Sequence, residues 1–485
     1  MPTIAFDALD YRADQTFSPA RYRFDGDEHT GWRIERDGAL ALQLGPGFRL
    51  LRVRQCGVCS TDLARHHLPF PLPQVIGHEV VATDADGRRY VVEINASHAA
   101  RGITTDCAFC RADLPTHCPE RTTLGIHDLP GGFGAWILAP SHGCLAVPAN
   151  VPDSAAVLVE PFAAALHAVL TIAPRAGEHI AVLGPRRLGM LVIAALTAVR
   201  RRSRDGAFTI AAVARDPHLL ALARTFGADA THAVGGESPA PEAAFDVVID
   251  TTGNASGLDL AVRMARREVH LKSTHGQPAA GLRHTTELVV DEIGIARFPG
   301  AAPAGGTAPW ERLRTGRRPR IAWLANAAPP PWLPAHVDVQ RGTAPALAAH
   351  YAKATDGLPR ADVVVADTAA GVDAALRPLV GSEVALVRPR GQVLLHADAV
   401  IPADIAASPL LAAVATRDLG LSSSRCGDFR AALQLLASDA ELRRIGERLV
   451  THHFAAADLR QAFVAARSPG CIKAVVDQTP PPVCT

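Results

Sequence analysis

The chain has 485 residues, of which 48% are hydrophobic and 20% charged, and its formal net charge is +1. This length allows two or three domains, and the composition is that of a water-soluble globular protein. A charge so close to zero gives no reason to expect a nucleic acid or an anionic membrane as a partner.

The ends and the cysteines indicate the compartment. The first residues, MPTIAFDALDYRADQ, contain neither a basic start nor an apolar run, so no signal peptide is expected. No apolar stretch reaches the length of a membrane span. Nine cysteines, several in Cys-x-x-Cys spacing, favour metal-binding thiols over disulfides. We therefore predict a cytoplasmic protein.

The first part of the chain is predicted to be rich in β-strands. Apolar and polar residues alternate over 32–36, 40–44 and 48–54. Candidate metal ligands follow: Cys59 in Gly-Val-Cys-Ser-Thr-Asp, His78 in Gly-His-Glu, and Glu160 before a proline. A catalytic zinc usually takes three such ligands and leaves a fourth position open. Singly, each residue has a purely structural alternative, but their order and flanking residues favour one zinc site.

After Glu160 the pattern changes to alternating strands and helices. Buried strands are predicted at 179–184, 208–215 and 245–250, with helices at 188–200 and 217–226. This alternation is typical of a parallel sheet covered by helices on both faces.

The turn after the first of these strands departs from the dinucleotide-binding pattern G-x-G-x-x-G. It reads Gly184-Pro-Arg-Arg-Leu-Gly189, so Arg186 replaces the middle glycine. Arg186 either crowds the pyrophosphate or swings outward and donates to a phosphate. Arg215, at the end of the second strand, suits a 2′-phosphate and favours NADP over NAD, although a solvated charge is the alternative.

The motifs Gly-Val-Cys-Ser-Thr-Asp, Gly-His-Glu and Glu-Pro-Phe-Ala-Ala-Ala-Leu-His-Ala, in this order, resemble the zinc-containing medium-chain dehydrogenase/reductase family. Alcohol, polyol and threonine dehydrogenases belong to it, and the resemblance covers residues 30–295 and 416–478. It implies an α/β fold, in which a β-rich GroES-like substrate domain accompanies a Rossmann-like doubly wound parallel sheet.

The resemblance also implies roles for individual residues. Cys59, His78 and Glu160 would bind the catalytic zinc, and Glu79 would be an acid that exchanges with water as a ligand. Thr61 would pass a proton to or from the substrate oxygen, and Asp62 would lie beside a zinc ligand and fix its orientation. The residues expected to contact NADP or NAD are Gly184, Arg186, Gly189, Arg215, Thr252 and Gly253.

A cysteine-rich segment resembles the lobe that holds a structural zinc in this family. Cys107, Cys110 and Cys118 match its last three thiolates, but the first position is Thr104. A fourth ligand would have to come from elsewhere, and the sequence leaves Asp106, His98 and His117 open.

A surplus of more than a hundred residues interrupts the resemblance. Its segment 361–379 echoes 245–264, which indicates either a partial internal duplication or merely a common strand-helix pattern. The insertion is expected to be folded α/β structure that extends the sheet, covers the cofactor cleft or blocks a dimerisation edge. The predicted division is 1–162 (first part of the catalytic domain), 163–295 (cofactor domain), 296–415 (insertion), 416–440 (end of the cofactor domain) and 441–485 (return to the catalytic domain).

These features predict a zinc-dependent oxidoreductase that transfers a hydride between an alcohol or carbonyl substrate and NAD(P). The family often has a histidine five residues after the zinc cysteine, where this chain has Ala64. The alternative is a degenerate, non-catalytic member that acts as a binding or assembly module. The expected partners are a small-molecule alcohol or carbonyl compound and, in a homo-oligomer, further copies of the chain.

Overall fold

The computed structural model describes residues 3–203, 207–235, 242–273, 276–302, 308–311, 317–354, 358–379, 384–397 and 400–478. The chain forms two units: Met1–Ala164 with Gly427–Thr485, and Ala165–Cys426. In the described part, no helix is long and apolar enough to cross a lipid bilayer. The finer domain boundaries predicted above remain a prediction.

The described strands are numbered in chain order. They are β1 (Thr3–Tyr11), β2 (Phe17–Asp27), β3 (Gly31–Arg36), β4 (Ala39–Leu44), β5 (Phe48–Gly57), β6 (Glu79–Thr83), β7 (Arg89–Val92), β8 (Asn95–Ala96), β9 (Thr122–Thr123), β10 (Trp136–Pro140), β11 (Cys144–Ala146), β12 (His179–Leu183), β13 (Thr209–Ala214), β14 (Ala230–Ala233), β15 (Phe245–Asp250), β16 (Ala265–Leu271), β17 (Gly294–Arg297), β18 (Arg320–Trp323), β19 (Asp338–Arg341), β20 (Ala361–Ala366), β21 (Val387–Leu395), β22 (Gly420–Ser423), β23 (Val450–Ala455) and β24 (Lys473–Asp477).

The described α-helices are numbered in the same way. They are α1 (Ser60–Leu63), α2 (His98–Arg101), α3 (Ala108–Arg111), α4 (Asp153–Ala156), α5 (Val159–Ile172), α6 (Arg187–Arg202), α7 (Pro217–Thr225), α8 (Ala255–Met264), α9 (Thr285–Val290), α10 (Ala344–Tyr351), α11 (Ala369–Leu376), α12 (Ala403–Ala406), α13 (Pro409–Arg417), α14 (Phe429–Ser438), α15 (Ala440–Arg443), α16 (Ile445–Leu449) and α17 (Leu459–Arg467).

The first unit is built from antiparallel sheets, as the alternating sequence predicts. In β2, Ala20, Tyr22 and Phe24 are buried while Arg21 and Arg23 are exposed, because successive side chains of a strand point to opposite faces. Strands β1 to β4 form one sheet in sequence order. A second sheet has the order β11-β7-β6-β5-β24-β23, with β10 also paired to β5. The C-terminal strands β23 and β24 thus complete a sheet begun near the N-terminus.

The second unit contains a long sheet with the order β14-β13-β12-β15-β16-β22-β17-β21-β20-β18-β19 among the described residues. Its inner strands are buried on both faces, as in β20, where Val363 to Val365 are fully buried. Neighbouring strands run parallel except at β17 and β22. The predicted α/β fold class is confirmed, and the inserted segment lengthens the sheet.

Candidate active site

Two strand ends bring three of the predicted site residues together. Cys59 lies just after β5 and His78 just before β6, and these strands pair antiparallel with Gly57 opposite Glu79. The ligand atoms of Cys59, His78 and Glu79 therefore all lie within 4.8 Å of one another. A thiol, an imidazole and a carboxylate at this separation form a set of donors that suits zinc.

Asp62 holds two of these residues in place. The residue is buried, and its Oδ2 accepts the backbone N–H of Cys59 at 2.8 Å. Its Oδ1 lies 3.3 Å from Nδ1 of His78. Burial by itself lowers the pKa of His78, but the charges of Asp62 and Cys59 outweigh it and raise that pKa well above its usual value. A carboxylate on one ring nitrogen leaves the other nitrogen as the metal donor.

Thr61 lies on α1 directly beside the thiol. The Sγ of Cys59 donates to Oγ1 of Thr61 at 3.7 Å. Further along, Ala64 is exposed, whereas Nδ1 of His66 lies 3.4 Å from the hydroxyl of Tyr11. A hydroxyl therefore lies beside Cys59. At position 64, where the family often has a histidine, this chain has an alanine, which has no ionisable group.

Glu160 is in the first turn of α5 and does not join the group of three ligand atoms among the described residues. Burial raises its pKa to about 7, while the charges of His78 and Lys473 lower it and that of Glu79 raises it. Glu160 therefore belongs to the same electrostatic environment, but in this structure Glu79 takes the nearer position.

The sequence patterns missed Lys473, at the start of β24. Its Nζ donates to Oε2 of Glu79 and to the carbonyl of Val58, the latter at 3.1 Å. Lys473 and Glu79 are 4% and 1% exposed, so this ion pair is shielded from water. No short-range motif signals the pair, because its members are 394 positions apart in the chain.

A second cluster of ligand types lies in the cysteine lobe and includes His98, Cys107, Cys110 and Cys118. Nδ1 of His98 is 3.5 Å from Sγ of Cys110 and 3.4 Å from Sγ of Cys118. The thiols of Cys107 and Cys118 are 3.8 Å apart. A tetrahedral zinc with ordinary bond lengths requires S···S separations of about 3.8 Å and S···N separations of about 3.5 Å.

The outer ring nitrogen of His98 completes this arrangement. Its Nε2 lies 3.3 Å from a carboxylate oxygen of Glu120, the partner that a metal-binding histidine commonly has. Asp106 and His117, the other two candidates for fourth ligand, are not in the cluster. Of the three candidates that the sequence left open, His98 is thus the one that lies beside the three thiols.

The predicted nucleotide-binding residues lie within the second unit, at the carboxyl ends of β12, β13 and β15. Gly184 follows β12 with φ +81°, and a Cβ there would lie 2.8 Å from Cγ2 of Thr252. A Cβ at Gly189 would lie 2.8 Å from the carbonyl oxygen of Gly184. Both glycines are therefore required for close packing of the turn.

Arg186 occupies the place of the middle glycine. It precedes α6 with φ −104° and ψ −129°, so its φ lies outside the left-handed region that favours glycine. Arg215 is exposed immediately after β13, and Gly253 has φ +62° in the turn after β15. Strand β12 pairs with both β13 and β15, so this is the point where the strand order reverses, the usual place for a dinucleotide.

Comparison with known proteins agrees with this architecture. Residues 45–149 match the family model described as the alcohol dehydrogenase GroES-like domain. An L-threonine 3-dehydrogenase of Chelativorans sp. (strain BNC1) is 27% identical over 283 residues, which cover 56% of this chain and 74% of the relative. On these matches the chain is similar to the zinc-containing medium-chain dehydrogenases/reductases.

Solved structures of dehydrogenases share the fold. Galactitol-1-phosphate dehydrogenase from Escherichia coli aligns with a TM-score of 0.57 and 14% identity, over 98% of this chain and 100% of that one. A protein from Sinorhizobium meliloti 1021, classed as a zinc-binding dehydrogenase and bound to NADP, aligns with a TM-score of 0.52 and 18% identity over 98% and 100%. At these identities the comparison concerns the fold alone.

Proposed function

We propose that this protein is a zinc-dependent dehydrogenase that transfers a hydride between an alcohol or carbonyl substrate and NAD(P). The observation that carries the proposal is the cluster of Cys59, His78 and Glu79, in which a carboxylate oxygen of Asp62 lies beside Nδ1 of His78. A merely structural role would not require a buried imidazole held between a carboxylate and a thiol.

The residues present fit a catalytic zinc. Cys59 and His78 would hold it, and the carboxylates of Glu79 and Glu160 are the two candidates for the third ligand. A bound zinc supplies a Lewis acid that stabilises negative charge on the substrate oxygen. Lys473 neutralises Glu79, and this favours Glu160 as the ligand while Glu79 stays paired.

Proton transfer is assigned to Thr61. Its hydroxyl lies beside Cys59 and is able to accept a proton at Oγ1 while donating its own. Because Ala64 has no ionisable group, the onward path for the proton differs from the one that the resemblance implies. The carbinol hydride would go to a nicotinamide, whose dinucleotide would lie at the turn of Gly184 and Gly189.

The lobe would hold a second, structural zinc with three thiolates and one imidazole. Cys107, Cys110, Cys118 and His98 are spaced as a closed tetrahedral site requires. Four protein ligands leave no open position, so this site would stabilise the lobe rather than take part in the reaction. Free thiols at both clusters suit a reducing compartment, and we place the protein in the cytoplasm.

The proposal is tested by a cofactor-linked oxidation screen on zinc-analysed protein. Primary alcohols, polyols, sugar alcohols and amino alcohols are offered with NADP⁺ and NAD⁺, and reduced nicotinamide is followed by absorbance. The expected result is turnover of one of these classes that is lost in Thr61→Ala with zinc content unchanged. Zinc-loaded protein that binds neither cofactor would instead support the non-catalytic alternative.

A further inference from the structure

The long sheet of the second unit has an internal symmetry that the proposed dehydrogenase activity does not explain. Its one antiparallel contact among the described strands is between β17 and β22, where Ile295 faces Leu421. Outward from this junction the strands run β22-β16-β15-β12-β13-β14 on one side and β17-β21-β20-β18-β19 on the other. The five strands nearest the junction thus have the same order on both sides, with β12, β13, β15 and β16 corresponding to β18, β19, β20 and β21, and β14 is additional on the first side.

The strand registers of the two halves also correspond. Ile180 faces Val247 in the first half, and Ile321 faces Val363 in the second. Each half has a register irregularity at the equivalent place, one residue before these valines. The pair His179↔Thr209 of the first half corresponds to Arg320↔Asp338 of the second. Likewise, Val247↔Glu268 corresponds to Val363↔Gln392. The two irregularities lie at the same place but differ in length, since the partner strand advances from Ala265 to Glu268 in the first half and from Val387 to Gln392 in the second. The shared registers after that place exceed what a common strand-helix pattern requires.

A side-chain contact is repeated at the irregularity. Oδ2 of Asp246 accepts the backbone N–H of His179 at 2.8 Å. Oδ2 of Asp362 accepts the backbone N–H of Arg320, also at 2.8 Å. An aspartate of β15 therefore fixes the first residue of β12, and an aspartate of β20 fixes the first residue of β18.

The helices after β15 and β20 begin alike. The side chain of Asn254 accepts the N–H of Gly257 at 2.8 Å, and that of Thr368 accepts the N–H of Gly371 at 3.0 Å. The helices read Ala-Ser-Gly-Leu-Asp-Leu-Ala-Val and Ala-Ala-Gly-Val-Asp-Ala-Ala-Leu. In both helices the capping residue lies three positions before the glycine whose N–H it accepts, and glycine and aspartate occupy matching positions. These matches support a duplicated unit.

The final strands of the two halves are exchanged. Glu292 has φ +54° shortly before β17, and Asp418 has φ +52° shortly before β22. The segments that follow, Ile-Gly-Ile and Leu-Gly-Leu, are equivalent in sequence. Yet β17, which follows the first half in the chain, pairs with β21 of the second half, and β22 pairs with β16 of the first.

The exchanged pairings have identical registers. Gly420 faces Glu268, and Gly294 faces Gln392. Glu268 and Gln392 are equivalent in the two halves, since they face Val247 and Val363 respectively. β22 thus lies beside β16, where β17 would lie if the first half kept its own final strand. β17 lies beside β21, where β22 would lie in the second half.

We propose that residues 179–297 and 320–423 are two copies of one half-sheet fold that have exchanged their last strands, so that the second copy serves as a built-in partner. An unpaired final strand at the edge of a sheet presents N–H and C=O groups with which a second molecule can pair. Here the second copy covers that edge within the same chain. Exchange of an identical element is a low-cost way to join two copies of a fold.

The second copy is a partner without a nucleotide site of its own. Residues 324–337, all described, form turns and no helix between β18 and β19. The first copy has α6 and the turn at Gly184 in the equivalent place. A phosphate-binding turn requires a helix N-terminus, so the second copy has no such turn between β18 and β19.

Paired cysteines in the full-length protein test the exchange. Neighbouring strands lie about 4.8 Å apart and next-nearest strands about twice that, beyond the reach of a disulfide. Val269→Cys with Leu421→Cys should form a disulfide on oxidation, whereas Val269→Cys with Ile295→Cys should not. The reverse outcome would overturn the exchange. Single variants control for the native cysteines, and peptide mass mapping identifies each link.

The built-in partner is tested with Ile295→Cys and Leu421→Cys together. The expected product is a disulfide within one chain, with the mass of a single molecule on a non-reducing gel. A disulfide-linked dimer, or no link, would overturn the proposal.

Amide hydrogen exchange on the unmodified chain gives a second test: β17 and β22 should be protected like the central strand β12 at every protein concentration. Exchange of β22 that slows only as concentration rises would show that a second molecule covers this edge.

Discussion

Nζ of Lys473 and the Oε2 atom of Glu79 form a buried ion pair at the candidate zinc site. The first belongs to a C-terminal strand of the unit and the second to an N-terminal strand, and β24 and β6 both pair with β5. The carboxylate that forms the group of candidate ligands with Cys59 and His78 is thereby already neutralised by a protein cation.

Removing the lysine should destabilise the first unit. Lys473→Met leaves Glu79 buried without a counter-charge, and the free energy of unfolding in urea should fall by about 3 kcal/mol. The double variant Lys473→Met with Glu79→Gln should recover most of this loss, because no unpaired charge remains. Equal losses in the single and double variants would show that packing, rather than charge, is responsible.

The catalytic zinc should depend on one of two adjacent cysteines. Cys59→Ser is expected to reduce zinc from about two ions per chain to about one and to lower activity by about 100-fold or more. Cys56→Ser is the matched control, because Cys56 is buried on β5 outside the ligand group and should leave zinc and activity unchanged. Metal analysis by mass spectrometry and initial rates measure both. Equal zinc loss in the two variants would remove the assignment.

The lobe zinc should depend on His98. His98→Ala is expected to release about one zinc ion per chain, whereas His98→Cys should retain it because thiolate completes a four-cysteine site. His117→Ala is the control within the same lobe. The visible spectrum of the cobalt-substituted protein gives a second readout, since replacing the imidazole changes the ligand field. Retention of both zinc ions in His98→Ala would contradict this prediction.

Glu292 should stabilise the second unit in a pH-dependent manner. Burial by itself raises its pKa, but Arg390, His167 and the backbone N–H of Arg425 outweigh it and lower that pKa from 4.5 to about 2. Since the folded pKa lies below the unfolded one, this stabilisation is fully present above pH 4.5 and is lost as the pH falls towards 2. Its size at neutral pH is about 3 kcal/mol.

Comparison with Glu292→Gln measures this contribution. The gap in free energy of unfolding between the wild type and the variant should be largest near neutral pH and should shrink as the pH falls below 4.5. Urea unfolding at a series of pH values gives the gap directly. A gap that does not change with pH would mean that the amide disrupts packing and that the charge of Glu292 contributes nothing.

The sequence predicts the local structure well, because strand alternation and the motifs around Cys59, His78 and Gly184 are short-range signals. It does not predict Lys473 or the choice of His98. Both depend on contacts between segments that only the folded sheet brings together. Spacing along the chain could not rank His98 above His117, since both are close in sequence to the same three cysteines.

The exchange of β17 and β22 is hidden from the sequence for a different reason. The two strands follow equivalent segments and have equivalent residues, so either would fit beside β16 or β21. Local preference is therefore the same for both arrangements. The long-range pairing of the whole sheet decides between them.

Equilibrium titration of zinc-analysed protein with NADPH and NADH, followed by nicotinamide fluorescence, tests the dehydrogenase assignment most directly. We predict saturable NADPH binding at about micromolar concentration, with one site per chain, and weaker binding in Arg215→Ala, since this variant loses the cation for the 2′-phosphate. Arg186→Gly, which restores the middle glycine, should bind at least as tightly. Failure of the wild type to bind either cofactor, with binding restored by Arg186→Gly, would mean that Arg186 closes the nucleotide site and that the protein is no dehydrogenase.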